Sequence, residues 1–189
     1  VTATSSSVNT RNRAVHRTQL NNGIWVLVTE NPAADIVSAR LFLRAGSRWE
    51  AREKAGLAHM VSSVLTKGSH RYSSQDIAAQ VESIGASLGT DTAADYFLVS
   101  VKTVSADFEE ILGLAGEVMR YPTFPQHEVE LERKLTLQSI KSQKEQPFNV
   151  AMGNLREVMY GDHPYAMSDL GTEESIQALT RDDLVAFHQ

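Results

Sequence analysis

Ala55-Gly56-Leu57-Ala58-His59-Met60-Val61-Ser62-Ser63-Val64-Leu65-Thr66-Lys67-Gly68-Ser69 is the stretch on which the reading of this chain turns. It reads as a helix entered by a glycine and carrying one histidine. A zinc site built on one helix takes two ligands at i and i+4, with a general base beside them. The positions one turn beyond His59 hold Ser62 and Ser63. A neutral hydroxyl is a poor zinc ligand, and without a partner base it takes no proton from water near neutral pH. The places for such a site exist, and the groups do not fill them.

Composition narrows the alternatives. At 189 residues the chain is long enough for one well-cored domain. With 42% hydrophobic and 22% charged residues it has the balance of an ordinary globular protein. Its net charge of -5, with no concentrated basic stripe, gives no reason to expect nucleic acid as a partner. There is no cysteine, which excludes disulfides, thiolate metal sites and a cysteine nucleophile. No apolar run approaches a membrane span; the longest is Ile24-Trp25-Val26-Leu27-Val28. Before Glu30 the chain holds Arg11, Arg13 and Arg17, many Ser and Thr, and no acid. That bias is a weak hint of organelle targeting or export, and a flexible leader over residues 1–17 accounts for it equally well. Residues 18–189 then form one domain.

Along that domain, strands come first. Asn22-Gly23 and Asn31-Pro32 bound a strand over residues 24–28, and residues 36–44 give a second, expected to pair with it as a hairpin. Residues 96–104, rich in Val, Phe, Tyr and Thr, read as a third. Helices dominate the rest. Ser73 and Asp76 resemble a capping box ahead of a face formed by Ile77, Val81, Ile84 and Leu88, with Gly85 as its stop. Ser105 is read as the cap of a helix ended by Pro122, and Pro125 opens a long charged one. Pro147 begins another, stopped by Gly161, and Thr172 and Thr180 each start a short final helix. Strands early and helices late argue for α+β, with an antiparallel sheet and helices packed on one of its faces.

In its ordered motifs the chain resembles the mitochondrial-processing-peptidase and pitrilysin family of inverted zinc peptidases. The likeness runs from about Leu20 to the C-terminus. It is carried by Asn22-Gly23-Ile24, Arg44-Ala45-Gly46-Ser47-Arg48, Gly56-Leu57-Ala58-His59, Thr66-Lys67-Gly68-Ser69 and Ser73-Ser74-Gln75-Asp76-Ile77. Tyr121-Pro122-Thr123-Phe124, Gly161-Asp162-His163-Pro164-Tyr165 and Leu170-Gly171-Thr172-Glu173-Glu174-Ser175-Ile176 extend it. The family carries His-x-x-Glu-His. The resemblance puts its first ligand on His59, its catalytic glutamate on Ser62 and its second ligand on Ser63. Its third ligand, a glutamate, falls on Ser139, at a separation of 139 − 63 = 76 residues. A cleft-lining asparagine of the family falls on Gly89, and the strand around Gly89, Thr90, Asp91 and Thr92 is implied to bind peptide. Two of three ligands and the base are replaced together, so no bound cofactor is expected here, although active members use zinc.

The resemblance therefore implies a non-catalytic homologue with a degenerate zinc motif. Its expected partners are a zinc-bearing homologous subunit or second domain, in a hetero-oligomer or a longer two-domain protein, and an extended peptide. Two alternatives stand beside it: a structural core subunit of a larger, respiratory-type complex, and a zinc metalloendopeptidase with unorthodox ligands. Blander readings accompany each residue. His59 alone fits a hydrogen-bonded core histidine, and Ser62 and Ser63 fit small residues that let a helix pack closely. Glu128-Val129-Glu130-Leu131-Glu132 fits a solvated helix face, and a Ser–His nucleophile pair lacks any orienting acid.

Overall fold

A computed structural model describes residues 15–189. Residues 1–14 of the expected leader lie outside the described residues. Two compact units divide the chain, one ending at Asp35 and one running from Ile36 to Gln189.

The first unit is a hairpin. Strands β1 (Val15–Gln19) and β2 (Trp25–Thr29) pair antiparallel, with Val15 opposite Thr29 and Gln19 opposite Trp25. Asn22 Oδ1 accepts from the Ile24 amide, and Gly23 takes a φ of +88° that side-chain-bearing residues rarely adopt. The Arg17 guanidinium stacks over the Trp25 ring at 3.9 Å. This corrects the expected pairing of residues 24–28 with residues 36–44. Asn22-Gly23 is itself the hairpin turn, so β2 folds back on the segment before it.

The second unit is mixed helix and antiparallel sheet. Strand β3 (Ile36–Leu43) pairs with β5 (Phe97–Val104), which pairs on its other side with β4 (Ser87–Thr92), giving the order β3-β5-β4. Residues two apart share a face. Phe97, Val99, Val101 and Thr103 of β5 are accordingly buried, and the residues between them are more open. The register lines up Leu41, Val99 and Thr90 in one row, and Ala39, Val101 and Leu88 in the next. Helix α1 (Leu57–Val64) packs on the Phe97–Val99 end of this face. Helix α2 (Ser74–Ser83) and helix α3 (Phe108–Arg120) pack on the Val101 end. The sheet is thus one-faced, as α+β predicts.

Several expected elements take different bounds. Leu88 belongs to β4, not to the α2 face, because the chain turns at Gly85 with φ +59°. Ser105 makes no side-chain cap; residues Ser105–Asp107 form a single 3-10 turn that leads directly into α3. The other boundaries fall where their chemistry places them. Ser73, Thr172 and Thr180 each close a capping box, before α2, α6 (Glu173–Ala178) and α7 (Arg181–His188). Pro125 precedes α4 (Gln126–Lys144), and Pro147 opens α5 (Pro147–Tyr160). Phe124 is fully buried at φ +45°, a costly conformation for a bulky residue, and Arg181 steadies it by donating to the Thr123 and Phe124 carbonyls.

Candidate functional site

The site forms where α1 crosses between β4 and α4. An eight-residue helix does not hold itself in water, so α1 depends on ties to other elements. At its N-terminus the first helical N–H groups lack intrahelical partners. Glu50, buried, supplies them from outside the helix: Oε2 accepts from the Gly56 amide at 2.9 Å and Oε1 from Ala58 at 2.6 Å. Burial outweighs these two bonds and pushes the Glu50 carboxyl up to about 7, with Asp169 adding to the rise. At the other end the Thr90 hydroxyl of β4 donates to the Ser62 carbonyl at 2.6 Å. Thr90→Val should cost about 1 kcal/mol by removing that bond, and a urea melt of the variant against wild type checks it.

His59 projects from α1 toward α4. Its Nε2 lies 3.3 Å from Thr136 Oγ1 and 4.0 Å from Glu132 Oε1. Burial lowers the His59 pKa against the opposing pull of Glu132, Asp169 and Asp91, so the ring is neutral at pH 7. A neutral imidazole of depressed pKa takes its proton only as the pH falls below its unfolded value, and its contribution to stability is lost in that direction.

Glu132 corrects the reading of residues 128–132 as a solvated face. Its side chain is 20% exposed beside His59, and Val129, three residues earlier, is fully buried. The buried stripe Val129, Thr136 and Ile140 was legible in the spacing, but the run of acids masked it. Glu50 was missed outright, since nothing in its local sequence marks a carboxylate as a cap for a helix six residues on.

The remaining positions are distributed as follows. Ser62 is buried, Ser63 half-buried and Ser139 exposed. Glu132, Thr136 and Ser139 stand at i, i+4 and i+7 on α4 and share a face. Thr90 lies in the sheet row facing α1, whereas Gly89 pairs with Ser100 and Asp91 with Leu98 in the alternate rows. The donor set does not fit zinc. One imidazole and one carboxylate approach each other among neutral hydroxyls, and no group of three His, Asp or Glu side chains is placed for a metal among the described residues.

The sequence pattern of the insulinase family of peptidases, M16, matches residues 25–173. The chain belongs to that family. An uncharacterized zinc protease of Mycobacterium leprae is 30% identical over 94% of this chain and 40% of its own length. A protein of Arabidopsis thaliana, named as a probable mitochondrial-processing peptidase subunit beta, is 24% identical over 88% of this chain and 32% of its own length. The structure described as a peptidase M16 inactive domain from Pseudomonas fluorescens superposes with a TM-score of 0.88 at 30% identity. It is matched over 93% of this chain and 43% of its own. The chain thus spans less than half the length of these M16 relatives. No helix among the described residues is long and apolar enough to cross a membrane.

Proposed function

We propose that this M16 domain is a non-catalytic partner in peptide binding and proteolysis. It would contribute one wall of a chamber completed by a zinc-bearing homologous subunit or by a second domain. One observation carries the reading: His59 on α1 faces α4, while the positions onto which the resemblance puts the rest of the family's chemistry hold Ser62, Ser63 and Ser139. The M16 structure described as an inactive domain, at 30% identity, supports a non-catalytic reading for this chain as well.

β4 supports the peptide-holding half. Among the described residues it lies at one edge of the three-stranded sheet, and an edge strand is where an added strand can pair. Gly89, Thr90, Asp91 and Thr92 occupy that edge. Mixing the protein with a zinc-bearing homologue should raise that homologue's peptidase activity. Absence of both binding and activation with every co-occurring homologue would remove the proposal.

A competing reading, a metallopeptidase with unorthodox ligands, has only the 4.0 Å approach of His59 to Glu132 behind it, with no third ligand beside them among the described residues. Metal analysis of protein purified without added zinc separates the two. Stoichiometric zinc that disappears in His59→Ala supports the enzyme, and metal-free folded protein supports the partner.

Rebuilding the motif tests the inherited frame. The triple variant Ser62→Glu, Ser63→His and Ser139→Glu would bring an imidazole and two carboxylates to His59 where the alignment drawn from the resemblance holds. Micromolar or tighter zinc affinity is expected, with little or no peptide hydrolysis, because the relatives' chains are more than twice as long as the part matched here. Burying a carboxylate at position 62 should cost the metal-free variant about 2–4 kcal/mol. Zinc should restore its melting temperature. A stable variant whose melting ignores zinc would show that the four positions do not converge.

A further inference from the structure

We infer that the cavity beside the loop joining α1 to α2 is a binding site for a phosphate group, carried as the free ion or on a small phosphate monoester. The inference is independent of the peptide-holding reading, since neither His59 nor β4 borders this cavity. The space measures about 460 Å³, within the range of small-molecule sites, and lies between the loop, the first turn of α2 and the start of α4.

Charge is the first argument. The chain has a net charge of -5, yet Lys67 and Arg71 both line this cavity, and neither enters an ion pair among the described residues. His70 and His127 add imidazole rings to the same lining. His70, Arg71 and His127 are exposed and Lys67 is half-buried, so a ligand reaches them from water. Glu128 is the one acid in the lining, and it lies 3.6 Å from His127 Nε2. Asp76, next along α2, is taken up in the capping box with Ser73.

The backbone supplies the second argument. α4 is 19 residues long and opens at Pro125 without a side-chain cap, so the Gln126 and His127 amides have no partner within the helix. Unanswered N–H groups and the helix dipole favour an anion at that end. α2 differs, because Ser73 and Asp76 already close its start. Ser69, buried in the loop, accepts from the Arg71 and Tyr72 amides at 3.2 and 3.1 Å, and its own O–H has no acceptor among the described residues.

The loop is fixed before any ligand arrives. The Ser69 amide donates to the Tyr72 carbonyl at 2.8 Å, the His70 amide to Tyr121 at 3.0 Å and the Thr123 amide to Gly68 at 3.1 Å. A side chain at Gly68 would begin 2.9 Å from Pro125 Cγ, so the loop abuts the start of α4. Binding therefore orders two cationic side chains and no length of backbone. A phosphate monoester carries nearly two negative charges and three acceptor oxygens, enough to answer Lys67, Arg71 and the α4 amides together. Tyr72 and Pro125 give the rest of the space an apolar wall for the organic part of an ester.

The ¹⁵N-labelled chain is titrated with sodium phosphate, glycerol 3-phosphate and sodium chloride at matched ionic strength, following the Gln126 and His127 amide resonances. Shifts half-complete at or below about 1 mM are expected from a phosphate compound, and none from chloride. Tighter binding of glycerol 3-phosphate identifies an ester as the ligand, and tighter binding of inorganic phosphate identifies the free ion. Shifts that do not saturate with either by about 20 mM overturn the site.

Variants locate it. Lys67→Gln and Arg71→Gln should each weaken binding about tenfold. Glu128→Gln removes the opposing carboxylate and should tighten binding about threefold. Lys102→Gln makes the same change in net charge at an exposed position of β5, away from its buried face, and should leave the affinity unchanged. An equal loss in Lys102→Gln, or full affinity in the Lys67→Gln, Arg71→Gln double variant, overturns the assignment.

Discussion

Gly171→Ala is expected to lower the melting temperature by about 10 °C. Gly171 sits at φ +78°, and a Cβ built there falls 2.1 Å from the Ala55 carbonyl oxygen and 2.9 Å from Ser175 Oγ. The opposing atom is backbone, held by a 2.7 Å bond from the Ser175 hydroxyl, so it has no rotamer by which to withdraw. The conformation alone costs an alanine about 1 kcal/mol, and the displaced backbone should bring the total to about 3–5 kcal/mol. Gly85→Ala is the control. Gly85 also has positive φ, but nothing lies within 4 Å of its added carbon. It should lose only about 1 kcal/mol. Thermal melts of the two variants side by side separate contact from conformation, and equal losses would mean that the 171 segment does not press on the start of α1.

Glu50→Ala should be nearly as damaging. It leaves the Gly56 and Ala58 amides without their acceptor, and two buried orphan donors cost together about 2–4 kcal/mol. The pH dependence has a definite sign. Folding raises the Glu50 carboxyl from 4.5 to about 7. Between those values the folded chain holds a proton that the unfolded chain has released, so this group's contribution falls as the pH rises from 4.5 to about 7 and is level above it. The fall amounts to about 3 kcal/mol over that window. Glu50→Gln cannot titrate and should flatten this component. Urea unfolding of wild type and Glu50→Gln from pH 4.5 to 8 measures the difference directly. A gap between them that stays constant with pH would mean that Glu50 titrates normally.

Most of the second unit was legible because its signals are local. Capping boxes at Ser73, Thr172 and Thr180, the prolines at 125 and 147 and the β-branched run of β5 each mark a boundary within three or four residues. The partner of β2 was misread because two strands flank it, and only the Asn22-Gly23 turn distinguishes them. β4 carries Gly89 and Asp91 where a strand usually carries branched residues, so pattern alone passed over it and only the family resemblance pointed there. At the site, His59, Ser62 and Ser63 could be placed from their helical spacing. Glu132 and Thr136 could not, because their proximity to His59 arises from the packing of α1 on α4 across more than seventy residues of chain.

The ties that hold α1 also fix its place in the order of assembly. Its N-terminal end is held by Glu50, close in the chain, but also by Gly171 and Ser175, which follow it by more than a hundred residues. Its apolar side shares a cluster with Ile176, Leu179 and Leu184 near the C-terminus. Loop closure over that separation precedes any gain from these contacts. During synthesis, Leu57, Met60, Val61 and Val64 therefore emerge long before the residues that cover them. Complete cover of the helix bearing His59 therefore waits on residues 171–184, and until then part of its apolar side is open to burial by a chaperone or a neighbouring chain.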